Sequence, residues 1–308
     1  MDVIRLNYNQ ELKFEKNVVA AMGQFDGLHR GHVSLINKAI EVGKEQGLKV
    51  AVVTFDPHPD FVLKKRANFG YITPLPKKLE LLESIGLDYV ILLHFDEELS
   101  KLEPNLFHER FLSSFSTIVV GTDYRYGYRG KGSIETLRQT GKNVIAVELI
   151  KTNDEKIGSN LIREYLMDGK VDLIYDLMGR YYNISGVVSH GSKIGRTFGV
   201  RTANIELTEE YQMIKKGVYV VYVHIDGKVY LGACNIGTNP TVNTVDKMRL
   251  EVHILDFEND IYGKEISIDV IYRIRDELRF DSIDKLVKQI EEDITFTKTN
   301  FGDKIWKY

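Results

Sequence analysis

The run Gly23-Gln-Phe-Asp-Gly-Leu-His-Arg-Gly-His32 lies between an apolar stretch, Val18 to Met22, and an amphipathic one, Val33 to Glu45. A strand buried on both faces reads as a continuous apolar run, and a helix-length stretch directly after it marks a strand-to-helix unit. Gly23 to His32 is therefore the connection between them, where the unpaired N–H groups of a helix start are presented. Outward from this turn the pattern repeats. Apolar, β-branched runs recur at Val50 to Phe55, Tyr89 to Leu93, Thr117 to Gly121 and Val144 to Leu149. Helix-length stretches alternate with them at Lys77 to Ile85, Asn105 to Ser113 and Ser133 to Thr140. Right-handed crossovers turn this alternation into a doubly wound α/β domain with a mostly parallel sheet. Its ligands are expected beyond the carboxyl ends of the strands.

After a helical segment at Val171 to Met178 the pattern changes, near Tyr181. Val218 to Ile225 and Lys228 to Cys234 flank Asp226-Gly227, a two-residue hairpin signal, because both central positions of a type I′ turn need positive φ. Arg249 to Leu255 and Glu265 to Tyr272 continue the strand pattern, and Ile283, Leu286, Val287, Ile290 and Ile294 share one helical face behind Ser282, a plausible N-cap. The expected architecture is a domain over residues 1–180 followed, over 181–308, by a small antiparallel β-barrel or sandwich with a C-terminal helix, the barrel being the expected form.

The chain's 308 residues suit two domains of ordinary size. Its 41 Lys plus Arg against 44 Asp plus Glu leave a net charge of -3, so no global positive field recruits nucleic acid or an anionic membrane. Cys234 is the only cysteine, which excludes an intramolecular disulfide and a Cys-rich zinc site and suits a reducing compartment. No signal pattern opens the chain and no apolar run approaches a bilayer span, so a cytoplasmic location is expected. The pattern leaves the oligomeric state open.

A glycine-spaced turn feeding a helix N-terminus suits an anion, since the backbone can approach a phosphate and the helix end carries partial positive charge. His29 and His32 are spaced to face one phosphate with Gly31 between them, and imidazoles there can stabilise charge developing on a phosphoryl group. Zinc is an alternative, which would need His58 or a carboxylate as a further ligand. A dinucleotide fingerprint, Gly-x-Gly-x-x-Gly, is absent from the turn.

The His-x-Gly-His turn after the first apolar run resembles the nucleotidyltransferase superfamily. The full run GQFDGLHRGH is similar to the adenylyltransferase module of prokaryotic bifunctional riboflavin kinase/FAD synthetases. Thr54-Phe-Asp-Pro-His-Pro59, Val120-Gly-Thr-Asp-Tyr-Arg-Tyr-Gly127 and Ile157 to Arg163 extend the resemblance, which covers nearly the whole chain. It implies that ATP binds over the turn, with His29 and His32 on its phosphates and Gly23, Phe25, Asp26 and Gly31 shaping the turn. Asp123, Ser159 and Arg163 would position substrates, and His58 and Arg125 would join the nucleotide-binding set. The implied reaction joins FMN to the adenylyl group of ATP, expelling pyrophosphate, and calls for Mg2+ and positive charge rather than a protein nucleophile. The family's Ile-Ser-Ser-Thr-x-Ile-Arg is Ile157-Gly-Ser-Asn-Leu-Ile-Arg163 here, keeping Ser159 and Arg163. Arg129 and Lys131, set among Gly127, Gly130 and Gly132, form a basic loop that either reaches the pyrophosphate or is simply solvated.

In the second half, glycines at 186, 191, 195 and 199 are interleaved with Lys193 and Arg196. Such spacing suits backbone wrapped around phosphates, although barrel bulges and corners also use glycine. The resemblance to riboflavin kinase implies nucleotide contacts from Gly191, Lys193, Gly195 and Arg196. It also implies Mg2+ ligation by Thr202 and Asn204 and a general base, Glu251, for the riboflavin hydroxyl. Asn239-Pro-Thr-Val242 and Arg275-Asp-Glu-Leu-Arg279 fit the same pattern. Arg201 replaces the proline of the family's Pro-Thr-Ala-Asn motif, freeing the backbone and adding a cation beside the metal ligands. Several functions stay open on this reading. One is FAD synthesis with or without riboflavin phosphorylation, a second is another nucleotidyltransferase, and a third is a catalytically silent flavin-binding regulator. A tRNA substrate is disfavoured by the net charge and the lack of a basic stripe. The expected partners are small molecules: FMN, ATP and riboflavin.

Overall fold

The computed structural model describes residues 1–14, 17–64, 69–148, 150–152, 155–189, 201–239 and 247–303. The chain folds into two compact units, Met1–Phe69 with Thr73–Ser159, and Gly70–Ile72 with Asn160–Tyr308. Residues 160–180 thus group with the second unit, although the change of sequence pattern falls near 180.

The first unit is built on a six-stranded sheet in the order β1-β4-β3-β2-β5-β6, comprising β1 (Asp2–Leu6), β2 (Val18–Met22), β3 (Lys49–Asp56), β4 (Tyr89–His94), β5 (Phe115–Gly121) and β6 (Asn143–Val147). Every pairing is parallel. Strand β2 is buried at all positions, as its uninterrupted apolar run requires. The edge strand β1 was not expected from its sequence, because Asp2-Val-Ile-Arg-Leu6 neither alternates regularly nor forms a long apolar run. The chain runs from β2 to β3 and β4 on one side and returns with β5 on the other. The direction of winding therefore reverses between the carboxyl ends of β2 and β5, which is where such sheets leave a crevice.

Helix Arg30–Gln46 follows β2, capped at its start by His29 and ended by Gly47 in the left-handed region. Helix Ile134–Gln139 starts from Ser133 in a reciprocal capping box with Thr136. The helix expected over Asn105 to Ser113 is instead a short helix, Pro104–Phe107, running into a π-helical turn, His108–Leu112. Its widened turn leaves Phe107, Phe111 and Leu112 all packed in the core on one face of the sheet.

Two short strands, β7 (Lys151–Thr152) and β8 (Glu155–Lys156), pair antiparallel after β6. The second unit is a closed antiparallel barrel in the strand order β10-β13-β12-β11-β14-β9. Its strands are β9 (Tyr182–Ser189), β10 (Ala203–Leu207), β11 (Gly217–Ile225), β12 (Lys228–Asn239), β13 (Lys247–Ile254) and β14 (Glu265–Arg275). Asp226 and Gly227 have φ of 50° and 75°, so the hairpin turn between β11 and β12 has the expected hand. Alternate residues such as Tyr219, Cys234, Leu250, Val252, Ile268 and Tyr182 fill the interior. Burial among them pushes the Cys234 thiol far above its ordinary value, which marks a packing residue.

Helix Ile283–Phe301 starts from Ser282, as expected, and packs Ile294, Phe296 and Phe301 against the barrel wall. The apolar face is shifted toward the helix C-terminus, leaving Ile283 exposed. The Asp293 carboxylate fastens the helix by accepting from Arg275 Nε at 2.9 Å and Nη2 at 2.6 Å. Among the described residues no helix is long and apolar enough to cross a membrane.

Candidate active sites

The turn after β2 is a forced conformation. Phe25, Gly27 and Leu28 have φ of 52°, 86° and 37°, and for a non-glycine residue this region costs about 1–2 kcal/mol. Side chains from distant segments hold it. Thr54 Oγ1 at the end of β3 donates to the Gln24 carbonyl at 2.8 Å, and Lys78 Nζ donates to the same oxygen at 3.1 Å. The Asp26 carboxylate accepts from the Thr73 N–H at 3.1 Å, and the Asp26 carbonyl accepts from Ser159 Oγ at 2.7 Å. Phe25 and Leu28 are buried beneath the turn.

The two histidines are brought together. Their rings stack at 3.6 Å between centroids, and His32 meets the Phe25 ring edge-on at 5.2 Å. His29 Nδ1 accepts the His32 N–H at 3.3 Å, which caps the helix. That bond requires Nδ1 to be unprotonated, so the proton of a neutral His29 sits on Nε2 and makes that nitrogen a donor. A Cβ on Gly31 would lie 3.2 Å from the His29 ring, so any larger residue there would press on the stack. A Cβ on Gly23 would likewise lie 3.1 Å from the Phe25 ring.

Other expected residues border the same carboxyl edge. Asp123 and Arg125 follow β5, and both are exposed. Tyr124 between them donates its hydroxyl to the sulfur of Met22, the last residue of β2, at 3.8 Å, which places this segment at the β2/β5 crevice. Asp123 forms an ion pair with Lys156. His58, beyond β3, caps the short helix Pro59–Val62 by accepting from the Asp60 N–H at 3.0 Å. Ser159 reaches the turn through Asp26. Arg163, in helix Ser159–Asp168, is buried in the second unit, where Nη1 donates to the Gly70 carbonyl at 2.6 Å and to the Gln212 side chain. Lys131 pairs at 2.9 Å with Glu103, the residue before helix Pro104–Phe107, and lies over the Tyr128 ring. Thr73 and Lys78 escape a sequence reading, since they lie far from the turn in the chain and carry no motif, and Thr54, although it opens the Thr54-to-Pro59 motif, carries no sign along the chain that it holds the turn.

The second site is a row across three strands. Glu251 on β13 stands opposite Asn204 on β10 and Asn235 on β12. Alternate neighbours Leu250 and Val252 point into the barrel, so this row faces outward, half-buried. Thr202 Oγ1 donates to Glu251 Oε1 at 2.8 Å. The backbone leading to Thr202 is held at Arg201, whose carbonyl accepts from His253 Nδ1 at 2.8 Å and whose guanidinium donates to the Glu258 carbonyl at 3.2 Å. The arginine in place of proline therefore leaves Thr202 and Asn204 gathered at Glu251. Asn235 is a further member of the row that only strand register reveals. Gly191, Lys193, Gly195 and Arg196 lie outside the described residues, as does most of Asn239 to Val242. Among the described residues no three His, Cys, Asp or Glu side chains are grouped to hold a metal. The zinc alternative at His29 and His32 accordingly has no third ligand among them.

The FAD synthetase family pattern matches residues 11–161 and the riboflavin kinase family pattern residues 178–301. A bifunctional riboflavin kinase/FMN adenylyltransferase of Bacillus subtilis is 37% identical over 303 residues, covering 95% of this chain and 96% of that protein. One of Listeria monocytogenes is 36% identical, covering 93% of each. A solved structure from Streptococcus pneumoniae, described as a macrolide-efflux protein, superposes with a TM-score of 0.89 at 32% identity, over 97% of this chain and 99% of that one.

Proposed function

The chain belongs to the family of bifunctional riboflavin kinase/FMN adenylyltransferases, and from that premise we propose how its residues divide FAD biosynthesis between two sites. Both reactions use ATP. In the first unit a phosphate oxygen of FMN attacks the α-phosphorus of ATP; the new P–O–P bond forms as the bond to pyrophosphate breaks. His29 and His32 hold the phosphates over the helix start and stabilise the charge that builds on them. Gly23, Phe25, Asp26 and Gly31 keep the turn in shape. Asp123, Arg125, Ser159 and His58 border the substrates along the carboxyl edge, and Arg163 acts through the packing of its own helix.

In the second unit Glu251 accepts the proton of the riboflavin 5′-hydroxyl as that oxygen attacks the γ-phosphorus of ATP and ADP leaves. The hydroxyl of Thr202 and the amide oxygen of Asn204 are hard, neutral oxygen donors beside a carboxylate, a set that fits Mg2+ arriving with ATP. When bound there, Mg2+ would neutralise phosphate charge. Gly191, Lys193, Gly195 and Arg196 complete the nucleotide contacts in this reading, and the enzyme works in the cytoplasm. The efflux activity named for the S. pneumoniae chain draws no support from these two sites.

The observation that carries the reading is the stacked His29 and His32 at the helix start beside the β2/β5 crevice. Product analysis with the two flavins supplied separately tests it. FMN with ATP and Mg2+ should give FAD and pyrophosphate, and riboflavin should give FMN and then FAD. A chain that makes FMN but no FAD would lack the first activity, and one that converts only supplied FMN would lack the second.

A further inference from the structure

Lys78 takes no part in the chemistry just described, yet it is 1% exposed, directly behind the turn. It lies in the first turn of helix Leu75–Ile85, where its N–H donates to the Pro74 carbonyl at 2.9 Å. The positive end of the helix dipole disfavours an ammonium there, and so does burial. Burial pushes the Lys78 ammonium below the ordinary lysine value, while the carboxylates of Asp26 and Asp56 pull the other way. A methionine of similar length would pack the same space without a charge, so the lysine is a feature that stability alone does not favour.

Two observations show what it does instead. Its Nζ and Thr54 Oγ1 converge on the Gln24 carbonyl at 3.1 and 2.8 Å. The Gln24–Phe25 peptide is planar and trans, so anchoring its carbonyl also sets the direction of the Phe25 N–H at the start of the left-handed run. The Asp26 side chain, in a residue also 1% exposed, is the acceptor for the Thr73 N–H, while Ser159 is held by the main-chain carbonyl of the same residue. Its carboxylate, however, places a negative charge inside a turn built for anions.

We propose that Lys78 is a positioning residue of the adenylyl-transfer site, whose ammonium holds the Gln24 carbonyl and cancels the Asp26 charge that would otherwise repel the phosphates of ATP. This rests on the assignment of FMN adenylylation to the first unit. Lys78 touches neither substrate; it acts through Gln24 and Asp26.

The test uses the full chain, with riboflavin phosphorylation as an internal control. Lys78→Met is expected to raise KM for ATP in FMN adenylylation by roughly 10-fold or more and to leave riboflavin phosphorylation unchanged. A merely structural role would lower kcat with the folded fraction and leave KM for ATP where it was, and that result overturns the proposal. Adding Asp26→Asn, which keeps the acceptor oxygen and removes the charge, should bring KM for ATP most of the way back. A double variant whose KM for ATP stays roughly 10-fold high overturns the charge-cancelling role. Should Lys78→Met alone not fold, this uncharged pair decides the matter by itself. Wild-type conversion of FMN to FAD, run alongside, tests the premise separately: its absence sinks the adenylyltransferase assignment and this role with it, whereas a failure confined to the variants sinks only the role of Lys78.

Discussion

The first unit concentrates its candidate chemistry in one short turn, Gly23 to His32, whereas the second assembles its own from residues on three strands, Asn204, Asn235 and Glu251, with Thr202 beside them. The turn is strained and held from outside by Thr54, Thr73, Lys78 and Ser159. The row residues Thr202, Asn204, Asn235 and Glu251 have no positive φ, and Asn204, Asn235 and Glu251 are held by barrel register. A site of the first kind fails when its supports move, and one of the second kind when a strand slips or a row member is lost. In the proposed assignment both handle the phosphates of ATP, so the difference lies in how backbone geometry is enforced.

The largest expected effect is at the barrel. Glu251→Gln should lower riboflavin phosphorylation by about 10³-fold while supplied FMN is still converted to FAD; equal loss of both activities would break the separation of the sites. His29→Ala or His32→Ala should do the reverse, lowering FMN adenylylation by about 10²-fold with FMN production intact. Next is the helix anchor. Asp293→Ala leaves Arg275, 19% exposed, without its carboxylate and should cost about 2 kcal/mol. Thermal unfolding followed by loss of kinase activity would read this, and an unchanged Tm would mean that the apolar contacts of Phe296 and Phe301 hold the helix unaided.

A smaller effect is expected at Gly31→Ala. The added Cβ would press the His29 ring at 3.2 Å, and a shift of the stack should slow adenylylation by about 10-fold. A wild-type rate would show that the imidazoles work without their present stacking. The smallest is Arg201→Ala. The part of Arg201 that His253 holds is its carbonyl, so riboflavin phosphorylation should change by less than about threefold. A large loss would mean that the guanidinium itself serves the phosphates.

Much of this molecule is legible in its residues because the relevant forces are local. Continuous apolar runs gave away β2 to β6, positive φ at Asp226 and Gly227 set the hairpin, and Ser133 and Ser282 cap the helices they precede. Strand β1 was missed because an edge strand of mixed polarity has no periodic signal. The π-helical turn at His108 to Leu112 was missed because its extra residue per turn is decided by where Phe107, Phe111 and Leu112 must pack. The pairing of Thr202 with Glu251 is likewise invisible along the chain.

By itself the sequence determined the two patterns of strand and helix, the glycine-spaced turn with its two histidines, and the family to which both halves are similar. These depend on neighbours within a turn or two of chain, where propensity, periodicity and φ requirements act. Only the tertiary structure decided that β2 and β5 flank the crevice, that a buried lysine lies behind the turn, and that Asn235 stands opposite Glu251. These are long-range outcomes: strand order, register and the compensation of buried charge exist only once distant segments share one core.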